Sequence, residues 1–201
     1  MFLLFGILFC IALIIVFIKK FFDGVIRPLL FYYPNGKKAI YSDTAADNGK
    51  KHIAIIAINY PGWIIYRARK NTFIYSSGIE ILKKGLEEIK KPYIIYHPST
   101  PQEFREIITT KEANPIWIIG HGFQYGVSFK EGKLHFEEFV NLKKDFNKDY
   151  IVQLQCWGSK TLIDDLCENS SKSYYTDRLR DFDENRDFII KTIEKIKTGN
   201  F

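Results

Sequence analysis

Apolar runs of two lengths alternate with polar segments along this chain. The longest run, Phe2 to Ile18 (FLLFGILFCIALIIVFI), contains no charged residue. A helix needs roughly 17 to 25 apolar residues to cross the hydrocarbon core of a bilayer. A cleaved signal peptide would carry a basic region before the run and a small-x-small site after it, and bulky Phe21 and Phe22 follow instead. The run therefore predicts one transmembrane helix over residues 2–18, with a signal peptide or a buried core helix as alternatives.

Residues 19–51 are predicted as a juxtamembrane segment and linker. The first part, FFDGVIRPLLFYY (21–33), mixes aromatic residues with charge and proline, which is typical of a helix or hairpin at the membrane interface. The second part, Pro34 to Lys51, is rich in Asn, Gly, Asp and Lys without any period, which indicates a linker.

Beyond the linker, short apolar runs alternate with amphipathic stretches. Strands are predicted at HIAIIAIN (52–59), YIIY (93–96), IWIIG (116–120) and YIVQL (150–154), with a weak strand at SYYT (173–176). A hairpin is predicted at VSFKEGKLHF (127–136). Helices are predicted at 77–91, 100–109 and 184–197 and around Leu162–Leu166. Strands that alternate with helical crossovers pair in parallel. The sequence thus predicts one α/β domain over 52–201, with a mostly parallel sheet and helices on both faces.

Composition and charge narrow the class of protein. The 201 residues are 46% hydrophobic and 26% charged, which excludes disordered and collagen-like chains. The net charge of +6 is scattered without an RNA-binding signature, so no nucleic-acid partner is expected. Basic residues follow the apolar run at Lys19, Lys20, Arg27, Lys37 and Lys38. By the positive-inside bias, the chain is predicted to be a single-pass membrane protein with a cytoplasmic domain.

The three cysteines are too few for a disulfide framework. Cys10 lies in the apolar run, and Cys167 lies among helical apolar residues and is predicted to be packing. No histidine has metal-ligand spacing to a cysteine, so neither a metal nor another cofactor is expected.

Candidate chemistry lies where two predicted strands end, because loops at the carboxyl ends of parallel strands form the functional crevice of an α/β sheet. The third strand ends in Gly120-His121-Gly122 and the fourth in Gln155-Cys156. If the two strands are neighbours, imidazole and thiol emerge side by side, and the imidazole can activate the thiol. The alternative is a turn histidine beside a buried structural cysteine. The sequence predicts a Cys–His dyad.

The order of these residues excludes several enzyme classes. All four histidines precede Cys156, whereas α/β-hydrolases and papain-like proteases place the base after the nucleophile. The spacing of Gly120, Gly122 and Gly126 also departs from the dinucleotide fingerprint.

Two strand ends and the insertion between them resemble the caspase-like cysteine peptidases, a group of caspases, metacaspases, gingipains, legumains and CHAT domains. The matching pieces are IWIIGHG (116–122) and IVQLQCWG (151–158), and the insertion GVSFKEGKLHFEEF looks most like the CHAT version. The resemblance covers about 52–167 and implies a caspase-like three-layer sandwich. It implies His121 as general base, Cys156 as nucleophile, and an oxyanion hole from the backbone N–H groups of Gly122 and Cys156.

The sequence also departs from this group. His121 and Cys156 are closer together in the chain than the roughly 50 residues typical of caspases. Gln155 stands before the cysteine, where a small residue is usual. Few strands are predicted after Cys156. Gln155 and Trp157 are candidate walls of a substrate pocket, and Trp157 is alternatively a packing residue. The predicted function is a membrane-anchored cysteine endopeptidase (a thiol hydrolase) acting on peptides or proteins, with a homo-oligomer or activating partner expected. The alternative is a catalytically silent caspase-fold module that recruits partners at the membrane.

The charge pattern makes a topological prediction. Because the basic side of the anchor stays in the cytoplasm, protease added to intact cells should leave residues 52–201 uncut, and permeabilised cells should lose them. An immunoblot against a C-terminal tag measures both results. Digestion of the tagged domain in intact cells would contradict this orientation.

Overall fold

The computed structural model describes residues 2–22, 26, 40–41, 49–59, 74, 78–124, 126–139, 143–178 and 182–199. Within these ranges the helices are α1 (Phe2–Phe21), α2 (Glu80–Glu88), α3 (Pro101–Thr109), α4 (Lys143–Phe146), α5 (Lys160–Leu166) and α6 (Phe182–Lys197), with 3-10 turns at Phe136–Phe139 and Ser170–Lys172. The strands are β1 (Ile40–Tyr41), β2 (His52–Ile58), β3 (Tyr93–Tyr96), β4 (Ala113–Gly120), β5 (Gly122–Phe123), β6 (Gly126–Phe129), β7 (Gly132–His135) and β8 (Ile151–Gln153).

Strand β2 is buried along its whole length and lies at the centre of a five-stranded sheet ordered β1-β3-β2-β4-β8. Its apolar residues at consecutive positions suit a strand covered on both faces. The pairs β2–β3, β2–β4 and β4–β8 are parallel, whereas β1 joins the edge strand β3 in antiparallel orientation. The predicted α/β class with a mostly parallel sheet is confirmed. Strand β1 falls within the range predicted as linker, because two residues are too few to show a strand period.

The two faces of the sheet bury two separate apolar clusters. Ile53, Ile55 and Ala57 of β2 pack with residues of α2 and α6. The alternate residues of β2 pack on the other face with α3, α5 and the hairpin strands β6 and β7. Successive side chains of a strand point to opposite faces, so one apolar strand serves both clusters. Helices therefore cover both faces, as the alternating pattern predicts.

The predicted helix starts and hairpin are confirmed, with shifted bounds. Thr100 caps α3, since its side-chain oxygen accepts a hydrogen bond from the Glu103 backbone N–H at 3.0 Å. The hairpin β6–β7 turns at Lys130-Glu131, and β5 joins it to form a small antiparallel sheet. Strand β4 begins three residues before the predicted start, where the side chain of Asn114 accepts the Asp149 backbone N–H at 2.7 Å.

The predicted weak strand at 173–176 lies along the free edge of β8. Tyr174 forms an isolated parallel bridge with Val152, and its carbonyl accepts the Gln153 N–H at 2.8 Å. This segment, continued to residue 178 and called the covering segment below, thus covers the edge of β8 with only a few ladder hydrogen bonds.

Helix α1 coincides with the long apolar run. Its side chains are described from Gly6 onward, and the large ones from Ile7 to Phe21 are exposed, with Phe17 at 70%. Within the described residues, no helix reaches the combination of length and apolar character that crossing a bilayer requires. The anchor over residues 2–18 stays a prediction, and most of the predicted interfacial segment 21–33 lies outside the described residues.

Two buried basic side chains hold the amino-terminal edge of the sheet together. Lys148 donates from Nζ to the carbonyls of Thr110 at 2.6 Å and Ala113 at 2.9 Å, and burial lowers its pKa to about 8. His52 lies 2.9 Å from both the Lys50 carbonyl, through Nδ1, and the Tyr96 hydroxyl, through Nε2. A carbonyl only accepts, so Nδ1 carries the proton and neutral imidazole satisfies both contacts. Burial lowers the pKa of His52 below its usual value.

This lowered pKa predicts how stability depends on pH. The unfolded state binds a proton near pH 6.5 and the folded state only at lower pH, so stability is complete above about 6.5 and falls as the pH drops through the folded-state pKa. Urea titrations at pH 7.5 and 5.5 should show this loss. His52→Asn, which keeps a donor near Nδ1 but does not titrate, should lose part of the pH dependence. An unchanged dependence would contradict the assignment to His52.

Candidate functional site

The two predicted catalytic residues lie in the loops that follow two neighbouring parallel strands. Ile118 of β4 pairs with Gln153 of β8, and the Leu154 N–H continues the ladder by donating to the Ile118 carbonyl at 2.8 Å. His121 directly follows the last residue of β4, and Cys156 is the third residue after the end of β8. Parallel neighbours lie about 4.8 Å apart in the sheet, so the two residues fall at one edge.

A close backbone contact supports the same placement. A Cβ atom on Gly122 would lie 2.1 Å from the Cys156 carbonyl oxygen and 2.8 Å from Cγ of Gln155. Such distances leave no room for a side chain, so glycine is required here by the loop that follows β8. The predicted oxyanion role of the Gly122 N–H stays a prediction, and this contact gives the glycine a structural role as well.

The turn out of β4 depends on a second glycine. Gly120 has a φ of +139°, and a Cβ atom there would meet the Ile58 carbonyl oxygen at 2.1 Å. Only glycine adopts this conformation without strain. The His121 N–H still donates to the Ile58 carbonyl at 3.1 Å, so His121 is tied to the end of β2.

The loop that carries Cys156 is held by the covering segment at the edge of β8. The Trp157 N–H donates to the Arg178 carbonyl at 3.1 Å, and the Gly158 N–H to the Thr176 carbonyl at 2.6 Å. Trp157 has a φ of +58°, which is uncommon for a bulky residue and costs about 1–3 kcal/mol. The segment therefore fixes the backbone directly after the candidate nucleophile.

Hydrogen bonds of buried side-chain amides also hold this loop. Gln155 is fully buried and donates from Nε2 to Oε1 of Gln153 at 3.0 Å, and the same oxygen accepts the Ser159 N–H at 3.0 Å. Ser159 is in turn the N-cap of α5. Gln155, a predicted pocket wall, thus lies beneath the surface of the loop, whereas Trp157 is half-buried.

The candidate dyad is partly accessible. His121 and Cys156 are both half-buried. Phe123 of β5 lies two residues after His121, with its ring edge-on to His135 at 5.2 Å between centroids and with Lys133 Nζ 5.4 Å from its centroid.

The order of the strands locates the functional crevice of the sheet without reference to His121 or Cys156. The connection from β2 to β3 leaves to one side of β2 and that from β3 to β4 returns to the other, which makes the gap between β2 and β4 the topological switch point. Asn59 follows Ile58 and His121 follows Gly120, and these last residues of β2 and β4 pair with each other. The sequence analysis missed Asn59, although a polar residue that ends a buried strand was the available signal.

The remaining candidate residues lie elsewhere. Cys10 is exposed on α1. Cys167 is buried at the end of α5, as predicted, and burial raises the pKa of its thiol. His97 is buried, whereas His135 is exposed. Among the residues with described positions, no three His, Cys, Asp or Glu side chains cluster closely enough to hold a metal ion.

A cavity of about 450 Å³ opens at the opposite, amino-terminal edge of the sheet. It is lined in part by Lys51, His52, Pro92, Asn114 and Asp149. None of the predicted site residues contributes to its lining. Some of its polar groups bond one another, as the Lys51–Asp149 pair at 2.7 Å illustrates.

Comparison with known proteins identifies no relative: no family model, no curated protein and no solved structure matches the chain. The fold and the register define an α/β protein with a histidine and a cysteine at adjoining strand ends.

The contact at Gly122 makes a stability prediction. In Gly122→Ala the new methyl group must displace the Cys156 carbonyl, which should destabilise the fold by about 2–3 kcal/mol and slow alkylation of Cys156. Denaturant titration and mass spectrometry of the alkylated peptide measure the two effects. Gly158→Ala, in the same loop, meets its nearest atoms only at 3.2 Å and should cost less. Equal losses in the two variants would contradict the argument from the close contact.

Proposed function

We propose that this chain is a membrane-anchored cysteine endopeptidase of the caspase-like kind, with His121 as general base and Cys156 as nucleophile. The observation that carries the proposal is the parallel pairing of β4 with β8, because His121 follows the first of these neighbouring strands and Cys156 follows the second. The close approach of Gly122 to the Cys156 carbonyl supports it independently.

The proposed chemistry uses only groups of this chain. His121 takes the proton of the Cys156 thiol, and the thiolate sulfur attacks the carbonyl carbon of a peptide bond. The oxygen of the tetrahedral intermediate accepts hydrogen bonds from the N–H groups of Gly122 and Cys156. His121 then protonates the leaving amine, and water hydrolyses the resulting thioester by the same base and acid steps.

The backbone N–H of Trp157, the residue after Cys156, is not part of the proposed oxyanion hole. The Trp157 N–H already donates to the Arg178 carbonyl, so it points toward the covering segment at the edge of β8. The substrate carbonyl is thus proposed to lie between the ends of β4 and β8, with half-buried Phe123 of β5 and exposed Lys133 of β7 beside it.

Membrane attachment through α1 belongs to the proposal. Apolar side chains are exposed from Ile7 to Phe21, and a contiguous apolar surface of this kind is unfavourable in water. Lys19 and Lys20 lie in the last turn of the helix, where they favour an anionic cytoplasmic leaflet. The domain is proposed to lie on that side, close to substrates at the membrane.

Histidine-dependent reactivity of Cys156 separates the peptidase from the silent module. Lowering a thiol pKa raises its thiolate fraction but weakens each thiolate as a nucleophile, so the difference is largest below neutral pH. At pH 6, a peptide electrophile should label Cys156 about tenfold faster in the wild type than in His121→Ala. Mass spectrometry of the peptides that carry Cys10, Cys156 and Cys167 measures the rates.

The matched control is His135→Ala, which removes an exposed histidine from the neighbouring hairpin and should leave the labelling rate unchanged. Equal labelling of Cys156 in the wild type and in His121→Ala would favour the silent module. Such a module keeps the fold but has no reason to keep a reactive thiol.

A further inference from the structure

We propose that the amino-terminal edge of the sheet docks on the anionic leaflet of the membrane, with the phosphate-bearing headgroup of an anionic phospholipid in the cavity that Lys51 and Lys91 line. This inference rests on the proposed attachment through α1, but it does not use His121 or Cys156. It assigns a lipid-binding surface to the end of the sheet opposite the candidate dyad.

The first observation is the difference in charge between the two ends of the sheet. The three residues before each of the parallel strands β2, β3, β4 and β8 include six lysines and two carboxylates. The lysines are Lys50, Lys51, Lys90, Lys91, Lys111 and Lys148, of which Lys148 is buried and the others are exposed. The three residues after each of these strands include no Lys, Arg, Asp or Glu. Positive charge is thus concentrated at the amino-terminal edge.

Several of these lysines have no carboxylate to neutralise them. Lys51 pairs with Asp149 at 2.7 Å. Lys90, Lys91 and Lys111 form no ion pair with any carboxylate among the described residues. The dipole of a helix favours a lysine at its carboxyl end, which accounts for lysines after α2 and α3, but this effect requires no cavity beside them.

The second observation is the cavity of about 450 Å³ at this edge. Lys51 and Lys91 line it together with apolar residues such as Ile53 and Ile196. Of its described lining residues Asp149 alone carries a carboxylate, and that group is already engaged by Lys51 and by the Asn114 amide at 3.2 Å. An incoming phosphate therefore meets a cationic rim and an apolar wall. A cavity of this volume is large enough for a lipid headgroup.

The third observation is where the chain from α1 enters the domain. Residues 19–51 connect the helix to β2, and Lys51, the last of them, lines the cavity. The amino-terminal edge is therefore the part of the domain nearest to the anchor along the chain. An anionic leaflet attracts lysines that come within about 8 to 10 Å of its surface. Strand β2 has seven residues, so docking places the carboxyl edge about 20 Å further from the lipid.

The test is the reactivity of lysines in the full chain, held in lipid nanodiscs by α1. A water-soluble acetylating reagent, read by mass spectrometry, measures the reaction rate of each amine. Lys90 and Lys111 should react about fivefold more slowly in nanodiscs that contain phosphatidylserine than in pure phosphatidylcholine, because the anionic surface favours the unreactive ammonium form. Lys130 in the hairpin turn and Lys160 at the start of α5 are exposed near the other end of the sheet and should react equally in both lipids.

Two double variants remove the same charge from opposite ends of the domain. Lys51→Gln with Lys91→Gln should weaken docking about 25-fold, fivefold for each lysine, and abolish the protection of Lys111. Lys130→Gln with Lys160→Gln should leave that protection unchanged. All four side chains are exposed, so both variants should fold, which urea titration checks. If the first does not fold, Lys91→Gln alone breaks no ion pair of the described residues and should still reduce the protection.

The other outcomes contradict separate parts of the inference. Equal acetylation of Lys111 in the two lipids would overturn the docking of this edge. Protection that survives in Lys51→Gln with Lys91→Gln would overturn the role of the cavity. Protection in pure phosphatidylcholine after addition of inorganic phosphate would assign the cavity to a free anion instead of a lipid. A chain that does not co-purify with nanodiscs would contradict attachment through α1 and this inference with it, whereas the histidine dependence of Cys156 labelling would still test the dyad.

Discussion

The parallel hydrogen-bond ladder that links β2, β4 and β8 is the constraint on which the rest of this structure depends. Its register is fixed because both faces of the sheet are buried, and a slip by one residue would exchange the side chains of the two apolar clusters. The same ladder determines which residues meet at the carboxyl edge. Core packing and the composition of the candidate site are therefore set by one alignment of strands.

The sequence was sufficient for elements with a strong local signal. Strand β3 was predicted at its observed bounds, and the Thr100 cap of α3 was read from its spacing to Glu103. Strands β1 and β5 were missed because each has two residues, too few to show a period. Such short strands form only because a neighbouring strand is already in place, which is information that a local pattern does not contain.

In the candidate site, too, residues with a local sequence signal were predicted, whereas residues placed by strand pairing were not. His121 and Cys156 were identified because each follows an apolar strand, and the pairing of β4 with β8 confirms that these strands are neighbours. Asn59 could not be assigned in this way, since its place next to the end of β4 depends on the register between strands separated by more than fifty residues. The structural demand on Gly122 was also hidden, because it arises from the Cys156 backbone rather than from nearby sequence.

The covering segment at the edge of β8 links two properties that would otherwise be independent. Unpaired strand edges invite pairing with other chains, and Tyr174 occupies such an edge here. The same segment, through Thr176 and Arg178, holds the left-handed backbone at Trp157. Peeling this segment away would expose the edge and release the stored strain together. Sheet extension by a second molecule and the shape of the Cys156 loop are thus thermodynamically coupled.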